Sequence, residues 1–206
     1  MSSDTEVTTE TKPAETKPAE TKPAETKPAA KPAAKPAAKP AELPAFEKSI
    51  SDKIVEKFGD KIEVEFVKEN RVGIKVNRDD IHDVAEFIRD GLNYDHVESV
   101  SGVDYPQDKE IEVVYHIGSY SDSSLAKQLL VLATRAQREE NPIPGKDATK
   151  LPTLRDIFYS VEFHEREVFE MFGVYFTGHP DNRRLLLPED WADLPPLRKD
   201  FAIKGR

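Results

Sequence analysis

The amino-acid sequence predicts an α+β domain of two layers, in which a mixed β-sheet is covered mainly on one face by helices. Apolar residues recur at every fourth position from Phe46 to Phe58, which is the spacing of an amphipathic helix. Apolar and polar residues alternate over 62–76 and again over 97–117, and a polar turn interrupts each stretch, which predicts two β-hairpins. The predicted order is helix, two strands, helix and three strands, followed by a short charged helix and an extended C-terminal segment.

The first half of this order follows from local signals. The first helix is expected to end at Gly59, and the turn at 68–71 should join two strands that leave one face in water. A second helix should be capped by Asn77 or Asp79 and end near Asn93. Its apolar positions are Ile81, Val84, Ala85, Ile88 and Leu92.

The segment 124–138 is ambiguous. Its leucines at 125, 129 and 132 fit a helix, but the apolar run 128–132 also fits a buried strand, and periodicity alone does not decide between them. The sequence Asn141–Gly145 ends this element, and Thr153 is expected to cap a short helix that runs to Phe158.

The N-terminal residues 1–42 form a separate region. The sequence TKPAE occurs three times from Thr11, and shorter KPAA repeats follow up to Pro40. A segment with almost no large apolar residues cannot offset its ordering entropy, so we expect a disordered tail that acts as a spacer or, less simply, as a docking arm. Its seven lysines balance its seven acids, so the net charge of −9 belongs to the domain, residues 43–206, including a C-terminal extension at 177–206.

Composition excludes several classes of function. The chain has no cysteine, so it cannot supply a disulfide or the thiolate ligands of an iron–sulfur cluster. The acidic balance argues against nucleic-acid binding, which needs a basic face. The longest apolar run, 129–133, is far shorter than the roughly 20 residues of a membrane-spanning helix.

The short charged helix is predicted over 165–172, because its apolar residues are preceded by acids and followed by Gly173. Apolar residues on more than one face predict burial on more than one side, and a charge carried into such a place needs a partner. Arg166 and Glu170 are spaced to pair with each other. Glu165 and Glu167 are left over, and we expect them to find donors elsewhere in this chain or on another one.

Two chemical alternatives concern the same helix. His164 and Glu165 begin a zinc-type pattern, but Val168 stands where the second histidine belongs, so a metal site would need His179 and a carboxylate. Three carboxylates on one helix also suggest acid–base catalysis. A packing network explains them more simply, and a turn is the simpler role for His179.

The C-terminal segment carries residues typical of interfaces. Arg183 and Arg184 precede three leucines and Trp191, a cluster that is either strand core or an interface anchor. The proline-broken end at 194–201 includes Arg198, Lys199 and Phe201 and is too extended to fold on itself. We therefore expect its apolar residues to need a surface to lie on.

Residues 162–201 resemble the signature of the C subunit of complex I, the proton-pumping NADH:quinone oxidoreductase, and of its relatives that use other electron donors. The matching sequence reads HEREVFEMFGVYFTGHPDNRRLLLPEDW and then PLRKDF, and weaker similarity reaches back to about Phe46. The resemblance implies a mixed-sheet α+β fold in which 125–136 is a strand.

The resemblance further implies a non-catalytic subunit with no cofactor or metal of its own. It would pack in the peripheral arm against the D-type subunit that forms the quinone pocket, near the B-type subunit that holds the terminal iron–sulfur cluster. The clusters and the quinone would then belong to partner subunits, and the chain would sit peripherally at the cytoplasmic side of the cell membrane through the complex.

The same resemblance implies a set of interface residues: Glu165, Arg166, Glu167, Glu170, His179, Arg183, Arg184, Trp191, Arg198, Lys199 and Phe201. Two rival functions remain open. One is the equivalent subunit of a membrane-bound hydrogenase-type complex, and the other is a free metal-dependent hydrolase.

Overall fold

The computed structural model describes residues 44–140, 149–191 and 193–203. The predicted disordered tail at 1–42 and the predicted break after the ambiguous element, at 141–145, lie outside these residues. The helices and strands, in chain order, are α1 Ala45–Phe58, β1 Ile62–Lys68, β2 Arg71–Val76, α2 Ile81–Leu92, β3 His96–Tyr105, β4 Glu110–Gly118, β5 Leu129–Gln137, β6 Lys150–Pro152, α3 Val161–Phe172 and β7 Tyr175–Thr177.

The main sheet has five strands in the order β1-β2-β5-β4-β3. Strands β2 and β5 run parallel, and the other neighbours are antiparallel, so the predicted mixed sheet is confirmed. The ambiguous segment is a strand from Leu129 to Gln137, preceded by a short 3-10 turn at Ser123–Leu125. A second sheet, in which β6 pairs in parallel with β7, was not predicted, because a three-residue strand shows no alternation.

One face of the main sheet is apolar. The register places Ile74, Leu132 and Tyr115 side by side, and none of these side chains is more than 1% exposed. They share one core cluster with the buried residues of all three helices. The opposite face is mixed: it carries charged side chains such as Arg135, which binds Glu112 at 2.8 Å, and small or apolar ones such as Val131 and Ala133. This division produces the predicted two layers.

Two local predictions are wrong. Helix α2 begins after Asp80 rather than Asn77 or Asp79, and no side chain caps it, because the carboxylate of Asp80 instead binds Lys61. The predicted helix from Thr153 to Phe158 is a single turn, in which Phe158 N–H donates to the Leu154 carbonyl at 2.8 Å. The chain then enters α3 at Val161.

Helix α3 lies close to β3 because Gly102 leaves room for it. A methyl group at Gly102 would lie 2.5 Å from the ring of Phe172, which is less than a normal contact. The helix ends at Gly173, as predicted, with a left-handed backbone at φ 77°. The remaining described residues, 178–191 and 193–203, contain no helix or strand and are called the ribbon below.

Candidate interaction site on helix α3 and the ribbon

Glu165 is buried inside this chain. Its carboxylate accepts hydrogen bonds from Tyr115 Oη at 3.1 Å, from Leu154 N at 2.9 Å and from the Thr153 hydroxyl. Its exposed fraction is 0%, and this burial raises its pKa to about 7 although all three bonds oppose the shift. Of the two sources of donors expected for Glu165, this chain or another one, the structure shows the first.

His179 forms a turn at the start of the ribbon. Its Nε2 donates to the Glu162 carbonyl at 3.0 Å, and its Nδ1 accepts from Asp181 N–H at 3.0 Å. Gly178 before it has φ 88°, so the expected turn with a glycine of positive φ is present. Both ring nitrogens bind the backbone, which leaves neither of them for a metal. Within the described residues, no group of three or more histidines and acids is arranged to hold a metal ion.

Arg166 and Glu170 do not pair with each other. Arg166 donates to the carbonyls of Arg183 and Arg184 at 3.0 and 2.8 Å. The Glu170 carboxylate accepts from three consecutive backbone N–H groups, at 3.0, 2.8 and 3.0 Å, those of Leu185, Leu186 and Leu187. Irregular backbone needs such partners because it has no strand or helix neighbours. The predicted pair thus becomes two separate attachments of the ribbon, and Glu170 is only 5% exposed.

Glu167 behaves differently from its neighbours on α3. Its side chain is exposed, and no hydrogen bond or ion pair joins it to the part of the chain that the structure describes. Of the four charged residues predicted on this helix, Glu167 is the one that faces solvent.

Arg183 and Arg184 have different roles. Arg183 is 85% exposed and pairs with Asp181 at 2.8 Å, and this guanidinium holds the pKa of the Asp181 carboxyl well below its ordinary value. Arg184 is half-buried, and its guanidinium binds the backbone of the ribbon that follows it. It donates to the carbonyl oxygens of Pro188, Glu189 and Trp191 at 2.9, 2.8 and 2.7 Å.

The leucines after these arginines are not strand core. Leu185 and Leu186 are 40% and 61% exposed, and residues 183–187 form no strand. Of the two alternatives for this cluster, the core-strand alternative is therefore wrong. A cavity of about 530 Å³ opens between Phe169 of α3 and this part of the ribbon.

The end of the ribbon folds back onto the domain. Arg198 is 3% exposed and donates to the Phe172 carbonyl at 2.6 Å and to the Glu139 carbonyl. Lys199 N–H donates to Asp104 at 2.9 Å. The rings of Trp191 and Phe201 face each other at 6.0 Å. The surface that this end was expected to need is supplied in part by the domain itself, since backbone carbonyls and a buried carboxylate of the domain bind it.

Asp104 is the site residue that the sequence reasoning missed. It forms a buried ion pair with Arg138 at 2.7 Å, and Arg138 also binds Asp200 at 2.7 Å. Burial alone would raise the pKa of Asp104, but the bonds from Arg138 and Lys199 lower it overall. A signal was present, because Asp104 lies in phase with Val100 and Gly102 on the inward face of β3, where an acid needs a cation.

The chain thus forms a small α+β domain in which residues of α3 and of the edge strand β3 hold the irregular C-terminal ribbon in place. A family model, described as the 30 Kd subunit of the respiratory-chain NADH dehydrogenase, matches residues 74–206. The chain therefore belongs to this family, and the resemblance noted in the sequence is confirmed.

Similar proteins come from several respiratory complexes. The C subunit of the F(420)H(2) dehydrogenase of Methanosarcina mazei is 36% identical over 131 residues, which cover 64% of this chain and 75% of that protein. The C subunit of the NADH-quinone oxidoreductase of Chlorobium phaeobacteroides is 35% identical over 156 residues, covering 74% of this chain and 87% of the relative.

Two solved structures support the fold. A chain of the membrane-bound sulfane sulfur reductase, an archaeal respiratory membrane complex, superimposes with a TM-score of 0.60 at 30% identity, covering 76% of this chain and 86% of that one. A trypsin-resistant fragment of Nqo5 has a TM-score of 0.50 at 24% identity and covers 65% of this chain and 97% of its own. Among the residues placed by the structure, no helix is long and apolar enough to span a membrane.

Proposed function

We propose that this chain is a structural, non-catalytic subunit in the peripheral arm of a proton-translocating NADH (or other donor):quinone oxidoreductase. In this proposal the ribbon lies against the subunit that forms the quinone pocket, near the subunit that holds the terminal iron–sulfur cluster. In this proposal the clusters and the quinone belong to the partners, and for the clusters the sequence agrees, because this chain has no cysteine thiolate to ligate one. The complex holds the chain at the cytoplasmic side of the membrane.

The attachment of the ribbon by Glu170 is the observation that carries the proposal. Three backbone N–H groups converge on this one carboxylate. The backbone of Leu185 and Leu186 therefore turns toward α3, and their side chains remain exposed. Apolar side chains held in a fixed arrangement on the surface are a typical feature of protein interfaces.

Internal attachment also favours binding. A segment that is ordered only on binding loses conformational entropy at that moment, which weakens the complex. Here Arg166, Glu170 and Arg184 already hold the ribbon backbone in the free chain. A partner therefore meets a surface that needs little further ordering, and most of the binding free energy is available for contact.

The proposal is tested by recovering the tagged full chain from gently solubilised membranes and identifying the proteins that accompany it. We expect Leu186→Asp to reduce the recovery of partner subunits, because it places a charge on the most exposed of the three leucines. Val55→Asp is the matched control, since Val55 is 43% exposed on α1, which packs mainly against β1, β2 and α2. Recovery of the wild-type chain without other subunits, or unchanged recovery with Leu186→Asp, would contradict the proposal.

A second candidate is a related respiratory complex with a different electron donor or acceptor. The similarity to the F(420)H(2) dehydrogenase protein and to the sulfane sulfur reductase chain favours a related complex that does not oxidise NADH. The same purification distinguishes the two, because the co-purified donor subunit either oxidises NADH or does not. A nickel-binding large subunit in the preparation would instead identify the hydrogenase-type assembly.

A further inference from the structure

Glu165 and His179 form a buried pair where the ribbon leaves the domain. Both side chains are 0% exposed, and His179 Nε2 lies 3.9 Å from Glu165 Oε2. This distance is too long for a hydrogen bond. The Nε2–H group instead donates to the carbonyl of Glu162 at 3.0 Å. The Nε2–H group therefore has one acceptor in use, the Glu162 carbonyl, and a second possible acceptor, the Glu165 carboxylate, only about 1 Å farther away.

The Glu165 carboxyl group has an acceptor position to spare. An ionised carboxylate offers about four lone-pair positions, and three are used by Tyr115, Leu154 and Thr153. Hydrogen bonds to a charged acceptor are stronger than those to a neutral carbonyl. Loss of the Glu165 proton to water therefore makes this carboxylate a better acceptor for His179 than the backbone carbonyl.

We propose that ionisation of Glu165 transfers the Nε2–H hydrogen bond of His179 from the Glu162 carbonyl to the Glu165 carboxylate and thereby shifts the start of the ribbon. The proposal concerns the chain itself and goes beyond its role as a subunit. In an assembled complex it would make the presentation of the ribbon depend on pH.

The groups around Glu165 are consistent with ionisation near neutrality. From β4 it faces Tyr115, from the 153–158 turn it faces Thr153 and the charge of Asp156, and from the ribbon it faces His179. Burial is the main reason that its pKa is raised to about 7, and Asp156 raises it further. No arginine or lysine is in contact with Glu165 in the described chain to hold it ionised.

A continuous series of contacts links His179 to the middle of the ribbon. His179 Nδ1 accepts from Asp181 N–H, and the Asp181 carboxylate lies 3.5 Å from Arg166. Arg166 binds the Arg184 carbonyl, and Arg184 binds the Trp191 carbonyl. Movement of the His179 ring therefore displaces backbone that leads to Trp191, which is the single tryptophan of the chain.

Trp191 fluorescence in the isolated full chain tests the proposal. We expect the emission to change sigmoidally with pH, with a midpoint near the pKa of Glu165, which burial raises to about 7. Glu165→Gln should abolish the change, because the glutamine does not ionise. The matched control Glu167→Gln should retain it, since Glu167 is exposed on the same helix. His164→Gln should also retain it, which excludes titration of the histidine adjacent to Glu165 in the sequence as the cause.

A second measurement on the wild-type chain covers the case in which Glu165→Gln does not fold. The amide resonance of Asp181 should shift with the same midpoint as the Trp191 emission, because its N–H binds His179. A flat Trp191 titration in the wild type, an unchanged transition in folded Glu165→Gln, or different midpoints for the two probes would overturn the proposal. None of these results depends on whether the chain assembles with partners.

Discussion

Replacement of Glu170 by glutamine is expected to release the first part of the ribbon. The carboxylate receives three consecutive backbone N–H groups, and charge-assisted hydrogen bonds are roughly twice as strong as neutral ones. In Glu170→Gln one carboxylate oxygen becomes an NH₂ group that faces these donors. Loss of about 0.5–1 kcal/mol per bond amounts to a total of roughly 2 kcal/mol.

Two measurements are needed for this variant. Urea unfolding gives the global loss of stability, and amide hydrogen exchange at Leu185, Leu186 and Leu187 shows whether the ribbon detaches while the domain stays folded. Glu167→Gln removes an exposed carboxylate from the same helix and should change the stability by less than about 0.5 kcal/mol. The reasoning fails if Glu170→Gln is as stable as this control and its three amides are equally protected.

Other contacts lead to three further predictions. Gly102→Ala should destabilise the domain by about 1–3 kcal/mol in urea unfolding, because the new methyl group meets the Phe172 ring at 2.5 Å. The double variant with Phe172→Leu should recover part of this loss. A wild-type stability for Gly102→Ala would contradict the prediction and show that the ring moves aside freely. Arg166→Ala should reduce the recovery of partner subunits more than it changes the unfolding of the isolated chain, and an undiminished yield of complex would count against this. Glu165 should contribute a loss of stability of up to roughly 3 kcal/mol as pH rises from about 4.5 to about 7, since its pKa is raised from 4.5 to about 7 on folding. This contribution is the difference between the pH–stability curves of the wild type and Glu165→Gln, and parallel curves for the two chains would exclude it.

The regular elements were predictable because their signals are local. The every-fourth-residue stripe of α1 and the alternation in β3 and β4 each need only one segment of sequence. The β5 strand was different, because its leucines fit two periods and only the family resemblance decided between them. Strands β6 and β7 were missed because each has three residues and their pairing depends on the fold.

The partners of the buried charges were not predictable in the same way. Arg138 is 34 residues from Asp104 along the chain, and Lys199 is 95 residues away. Such pairs exist only after the sheet and the ribbon have met. The sequence does show which charges lie at inward-facing positions, as for Asp104 on β3, so it indicates that a partner is needed without indicating which one.

Because the buried charges find partners inside this chain, the reason to expect a partner protein lies in other residues. The sequence left open whether the donors for Glu165 lie in this chain or on another one and paired Glu170 with Arg166, whereas in the structure both carboxylates bind donors of this chain. Charges that are paired internally give no reason for assembly. The exposed apolar side chains of Leu185, Leu186 and Leu197 do give one, because they are 40%, 61% and 55% exposed on backbone that internal bonds hold in place. In the proposed function, the charged residues therefore fix the backbone of the ribbon, and the exposed leucines are the side chains that contact the partner.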